Sequence, residues 1–262
     1  VTSSRLATLP GTIWKPLRES AANLVHEFNA QNISNALWAM GKLRRGGGVQ
    51  DRRLLEALES RAVAQTSAFT AQGITNVLWG LAKTGSVLSR SSAAMLLRRV
   101  AALAPELSGQ NASNSLWSVS ILLSVLRDDA GNTNTSSDDG TGSLEARPGI
   151  AGNDAVSALV ARLCELAEDL SDCDVATSLL GAAKLQEAHP VGKSLVERLC
   201  RRGARVVEGF HAPQAAWLLW SLAKLGVAAR NDGSLPTLLA AQMAHVAPEL
   251  PDQEIGVAAW GL

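Results

Sequence analysis

Three times in its first half this chain writes nearly the same phrase: Gln31-Asn32-Ile33-Ser34-Asn35-Ala36-Leu37-Trp38, Gln72-Gly73-Ile74-Thr75-Asn76-Val77-Leu78-Trp79 and Gln110-Asn111-Ala112-Ser113-Asn114-Ser115-Leu116-Trp117. A sequence that repeats at a fixed period makes like units that bury their apolar faces on one another, so it predicts a stack rather than a closed globule. Trp38, Trp79 and Trp117 follow one another at a period of about 40 residues, as do the later Trp220 and Trp260. Leu180, within Val175 to Leu185, holds the tryptophan slot of a degenerate copy one such period before Trp220.

Companion columns fix the register. Ten residues before each slot stand Phe28, Phe69, Leu107, Leu170, Phe210 and Leu250; four after it stand Lys42, Lys83, Ile121, Lys184 and Lys224. A second apolar pattern lies eleven, seven and four residues before the Phe/Leu column: Leu58, Ala62, Gln65; Leu96, Val100, Leu103; Leu159, Leu163, Leu166; Leu199, Gly203, Val206; Leu239, Met243, Val246. Gln65 and Gly203 apart, this is the spacing of one helical face. Each unit is therefore expected to be two helices, one of about 13 residues carrying the tryptophan phrase and a longer one leading to the next Phe/Leu column. Turns such as Arg45-Gly46-Gly47-Gly48 and Arg230-Asn231-Asp232-Gly233-Ser234 separate them. No strand pattern is visible. The expected fold is all-α, an α-α superhelix, or solenoid, of helix-turn-helix repeats of about 40 residues, forming one domain over residues 1–262.

The period slips once. Leu180 follows Trp117 by more than one period and less than two, and the excess falls on residues 128–152, whose Asp, Gly, Asn, Thr and Ser have little apolar surface to bury. A disordered surface insertion is expected there. Leu17, Ala21 and Leu24 precede Phe28 at the helix offsets, so the chain opens inside a repeat, and it stops two residues after Trp260. Neither end resembles the polar cap that a solenoid needs, which predicts a segment of a longer protein.

With 24 basic and 24 acidic residues the formal net charge is zero, which argues against a protein held to nucleic acid by bulk charge alone. The charges cluster nonetheless: Arg44, Arg45, Arg52 and Arg53 at one junction, Arg98 and Arg99 in one apolar helix, Arg198, Arg201, Arg202 and Arg205 in another, and Glu165, Glu168, Asp169, Asp172 and Asp174 in the degenerate unit. Solvated helix faces account for most such clusters. Cys164, Cys173 and Cys200 share no metal-ligand spacing and are expected to be buried free thiols in a reducing compartment. His26, His189, His211 and His245 are scattered, and Gly46 to Gly48 lacks the Lys and Ser/Thr of a phosphate loop. No catalytic residues, metal site or cofactor is expected, and no segment is apolar for long enough to cross a bilayer.

On a helical wheel Gln31, Asn35, Trp38 and Lys42 fall within about 60° of one another, while Ile33, Leu37 and Met40 lie opposite. The stripe returns as Gln72, Asn76, Trp79 and Lys83, in part as Gln110, Asn114 and Trp117, and its lysine again as Lys184 and Lys224. Amides that bond to base edges, indoles that stack and ammonium groups that meet phosphate are what a single-stranded nucleic acid needs, at about one nucleotide per repeat. The competing reading makes the indole a wedge between successive units and the amides a structural ladder. In the fourth and fifth units the Gln slot becomes Cys173 or Pro213 and the Asn slot Thr177 or Trp217, while the aliphatic positions mostly hold. Variation on a constant core favours the Gln and Asn slots as the reading face.

The phrase from Phe28 to Leu43, repeated at Phe69 to Gly85 and Phe210 to Gly226, resembles the octotricopeptide repeat family and the related repeats that precede RAP domains in organellar proteins. The resemblance implies a superhelix of helix pairs that binds RNA in a chloroplast or mitochondrion, serving transcript processing, stability, splicing or translation, or forming part of an organellar ribosome. The stripe places RNA contacts at Gln31, Asn35, Lys42, Gln72, Asn76, Lys83, Gln110, Asn114, Lys184 and Lys224. The expected partner is single-stranded RNA, with other proteins of a ribonucleoprotein as further partners and neither DNA nor membrane. The rival expectation is a protein-binding, armadillo-like scaffold, or a structural subunit of an organellar ribonucleoprotein.

Overall fold

The computed structural model describes residues 11–44, 52–86, 88–132, 148–229 and 233–246. All regular structure among them is helical: α1 (Gly11–Leu24), α2 (Ala30–Arg44), α3 (Arg52–Ala64), α4 (Ala71–Thr84), α5 (Arg90–Leu103), α6 (Gly109–Asn132), α7 (Pro148–Leu166), α8 (Asp172–Leu185), α9 (Lys193–Arg205), α10 (Ala212–Lys224) and α11 (Leu235–Val246). The tryptophan phrases form α2, α4, α6, α8 and α10, and the second apolar pattern forms the helices between them. The expected all-α class and the alternation of two helix types are what the chain adopts. Leu250 and Trp260, the Arg45 to Gly48 turn and residues 230–232 lie outside the described residues.

The insertion expected at residues 128–152 is helical at both flanks. The tryptophan helix α6 continues to Asn132 and so reaches 24 residues, and α7 begins at Pro148, with Ala151 fully buried. A packed helix carries weak flanking turns that their own composition would not sustain. The middle of that segment, residues 133–147, lies outside the described residues.

Among the described residues one junction recurs between an apolar helix and the tryptophan helix after it. A 3-10 turn closes each of α1, α3, α5, α7 and α9: Val25–Glu27, Thr66–Ala68, Ala104–Glu106, Ala167–Asp169 and Val207–Gly209. This corrects the expectation that the apolar helix runs to the Phe/Leu column, and α3 and α9, at 13 residues each, are no longer than the tryptophan helices that follow them, whereas α7 at 19 residues is the longer of its pair. Phe28, Phe69, Leu170 and Phe210 then stand in extended conformation, and the next residue caps the tryptophan helix. Asn29 and Asn32 bond reciprocally side chain to backbone; Thr70 and Ser108 accept from the amides of Gly73 and Asn111; Ser171 with Asp174 and His211 with Gln214 form capping boxes. Each cap satisfies donors that the first helical turn leaves open.

A residue extended between two helices cannot place its carbonyl in either helical ladder. Here the following apolar helix supplies the donor. Arg61 donates to the Phe28 carbonyl at 3.1 Å, Arg99 to Phe69 at 3.1 and 2.5 Å, Arg162 to Leu107 at 2.9 Å, Arg202 to Leu170 at 2.8 Å and Gln242 to Phe210 at 2.7 Å. Gln65, one exception in the apolar pattern, adds a second bond to Phe28 at 2.8 Å. All five donors stand eight residues before a Phe/Leu column residue, a periodic signal hidden among the arginine clusters. A part-buried carbonyl bound by a cation loses more than a neutral hydrogen bond when the cation goes. Arg99→Met, which keeps the apolar stem, should lower unfolding free energy by about 2 kcal/mol in urea titration. Arg98→Met, on the exposed neighbour, should leave it unchanged.

The chain divides into two compact units: Val1–Glu106 with Ile121–Ala155, and Leu107–Ser120 with Val156–Leu262. In the first, α4 lies along α2 over a core that includes Ile33, Leu37, Leu58, Ile74, Leu78 and Leu81, all fully buried. In the second, Leu116, Leu159, Leu163, Val175, Leu179 and Leu199 form the corresponding core. There the hydroxyl of Ser178 donates to that of Ser113 at 2.9 Å, and Ser113 donates in turn to the Gly109 carbonyl at 2.8 Å, so both buried hydroxyls are satisfied.

Within the first unit Gly85 ends α4 at φ 68°, a left-handed conformation that glycine adopts without steric cost. The turn delivers the buried Ser86 hydroxyl to the Glu59 carboxylate of α3. Burial pushes the Glu59 carboxyl above its ordinary 4.5, against the pull of the Ser86 bond. The folded value exceeds the unfolded one, so the contribution to stability is greatest when Glu59 is protonated and declines as pH rises through the carboxylate range. Glu59→Gln keeps an acceptor for Ser86 and cannot ionise. Its urea midpoint should rise relative to the parent protein as pH increases from acid to neutral, and the two should converge at the acid end.

Candidate nucleic-acid interface

The face predicted from the wheel exists in the first unit and is assembled by close helix packing. A Cβ built on Gly80 would fall 2.5 Å from the Leu37 carbonyl oxygen, and one on Gly41 would fall 2.7 Å from Cζ3 of Trp79. Bare backbone at Gly80 lets α4 approach α2, and bare backbone at Gly41 receives the indole edge of the next repeat. Trp79 is thereby a wedge between repeats, as the packing alternative required.

The lysines follow from this arrangement. Lys42 Nζ lies 5.3 Å from the Trp38 ring centroid and 5.4 Å from that of Trp79, and Lys83 Nζ lies 5.7 Å from Trp79. Indole and ammonium thus alternate across the α2–α4 seam. At half-exposed positions each such contact is worth about 0.5–1 kcal/mol, enough to hold an ammonium in place at the surface. Trp38 is 44% exposed, whereas Trp79 is half-buried.

Beside this ladder stand the amides. Gln31, Asn35 and Gln72 are exposed and Asn76 is half-buried. In the second unit Gln110 on α6 is exposed and Asn114 half-buried. Among the described residues no hydrogen bond engages the side-chain amide of any of these six. Their neighbours Asn29 and Asn32 are occupied with capping. An internal amide ladder therefore does not form.

The remaining slots of the second unit differ in chemistry. Gly181 brings α8 against the backbone of Trp117, with a built Cβ 3.0 Å from its nitrogen. Lys184 is exposed, but Lys224 pairs with Glu187 at 2.6 Å. The Asn slot of α10 holds Trp217, edge-to-face with Trp220 at 5.9 Å between centroids. The Gln slot of α8 holds Cys173, whose sulfur accepts from Gln214 at 3.2 Å.

Cys173 is exposed rather than buried, which corrects the expectation for that thiol, because its slot belongs to the outward stripe. Burial pushes the Cys200 thiol up to about 11 and raises that of Cys164, so both stay protonated at neutral pH. Arg205 pairs with Glu168 and Arg162 with Glu165, which ties part of the basic and acidic clusters together. With Arg61, Arg99, Arg162 and Arg202 committed to carbonyls, the arginines left at the surface are fewer than the sequence suggests. Among the described residues no cluster of His, Cys, Asp and Glu could hold a metal ion, and no helix is long and apolar enough to cross a membrane.

Compared with protein-family models and with curated protein sequences the chain finds no match, so the chemistry of its exposed stripe rests on the side chains themselves.

Proposed function

We propose that this protein is an α-solenoid of octotricopeptide-like repeats that binds single-stranded RNA through the amide-bearing face of its tryptophan helices. The observation that carries this reading is the set of surface amides with no internal partner beside lysines held at the α2–α4 seam. Free carboxamides offer donor and acceptor to base edges, and the held ammonium groups offer charge to phosphate. Because the indole faces carry lysines, base stacking on Trp79 is a lesser part of this mechanism than amide contact. Zero net charge suits a surface that works by hydrogen bonding. The placement in a chloroplast or mitochondrion, and the service to transcript processing, stability or translation, come from the family resemblance alone.

A screen against random single-stranded RNA pools at two salt concentrations tests it. Enrichment with a shallow salt dependence is expected: for Lys42 and Lys83 alone, log K against log salt should have a slope of about −1.4. No enrichment at either concentration overturns the reading. Asn35→Ala with Asn76→Ala should weaken RNA binding about tenfold or more while the thermal midpoint moves by less than about 2 °C.

A second reading is favoured by the second unit. Pro213 and Trp217 replace the polar Gln and Asn of the stripe with apolar residues, and Leu180 replaces its tryptophan, which suits a protein partner within a ribonucleoprotein or an armadillo-like scaffold.

A further inference from the structure

Helices α2 and α4 present the same pair of amides in the same register: Gln31 and Asn35 on one, Gln72 and Asn76 on the other, each pair one helical turn apart. The two helices are also locked in phase. Gly80, one residue after the tryptophan slot, meets Leu37, one residue before it, and Gly41 meets Trp79. Backbone contact of this kind sets the helices near the short end of the usual spacing, about 8 Å. Lys42 sits over both indoles of the seam, so one ammonium is shared by the two helices at the lysine end of the stripe, about two helical turns beyond Asn35.

Identical side chains in identical registers cannot distinguish different bases. We infer that α2 and α4 read two adjacent identical bases in single-stranded RNA, an inference that rests on the RNA-binding reading above. Every base offers one carboxamide a donor beside an acceptor, but a Gln-Asn pair suits a base with two such edges, and adenine, unlike uracil, has them, its two amino hydrogens lying beside N1 and N7. The ligand of the first unit is therefore an adenine-adenine step, with a backbone phosphate against Lys42. The slots of α8 and α10, with Cys173 and Thr177 or Pro213 and Trp217, cannot repeat this recognition.

The test uses the full chain and three labelled RNAs of equal length read by fluorescence anisotropy. One carries two adjacent adenines in a uridine background, the second the same two adenines separated by one uridine, and the third only uridine. The adjacent-adenine RNA should bind about tenfold tighter than the separated one, since only one amide pair is satisfied there. Gln31→Ala with Asn35→Ala should erase that difference while retaining the preference of both over uridine alone. Equal affinity for adjacent and separated adenines overturns the inference of paired identical readers, and equal affinity for all three RNAs overturns the choice of adenine. Binding of none of them, together with an unenriched random pool, fails the RNA reading itself, which separates the two failures.

Discussion

Gly80→Ala should destabilise the first unit by about 2 kcal/mol, measured as a fall in unfolding free energy by urea titration. The added methyl would lie 2.5 Å from the Leu37 carbonyl oxygen and 2.9 Å from its Cβ. Neither atom can rotate away, because one is backbone and the other is fixed to it. Overpacking of this kind costs about 1–3 kcal/mol, and here the upper end applies, offset by about 1 kcal/mol from the better helix propensity of alanine. Gly73, in the same helix, is the control. Its nearest contact is the Thr70 hydroxyl at 3.3 Å, so Gly73→Ala should change stability by less than about 1 kcal/mol. Equal effects at the two positions would mean that α4 is not locked onto α2 through Gly80.

Trp79→Ala should cost about 3 kcal/mol, and Trp38→Ala about 1 kcal/mol, in the same assay. Trp79 fills the space over Gly41 and carries two lysines; Trp38 is 44% exposed and carries one. The ratio matters more than either value. If Trp79→Ala proved as mild as Trp38→Ala, the indole would be free to stack on a base, and the lysine ladder would not describe the solution state. Loss of Trp79 should also release Lys42, so the variant should bind RNA with a shallower salt dependence than the parent protein.

Much of this architecture was legible in the sequence because it is periodic. The tryptophan column, the Phe/Leu column and the apolar offsets each recur, and recurrence separates a structural constraint from chance even in one chain. The capping residues after Phe28, Phe69, Leu107, Leu170 and Phe210 were equally available, since Asn, Thr, Ser, Ser and His share the ability to accept from an open amide. The arginine column was present but masked. Arg99 and Arg202 sit beside Arg98 and Arg201, and only the hydrogen bonds to Phe69 and Leu170 show which member of each pair faces inward. Where composition changed, reading by composition overreached, for the ends of residues 128–152 are helical because packed neighbours extend them.

Spacing alone settled the helical class, the period and the residues that share the Gln, Asn, Trp and Lys stripe, because helical geometry converts spacing into faces without reference to anything distant. What each member of that stripe is free to do was settled only by tertiary packing. Glycine at 41 and 80 draws α2 and α4 together, and that approach turns Trp79 into a wedge, fixes Lys42 over the seam and leaves Gln31, Asn35, Gln72 and Asn76 without an internal partner. Such outcomes depend on contacts between residues a full repeat apart, and no local pattern encodes which of two outward side chains a neighbouring repeat will cover.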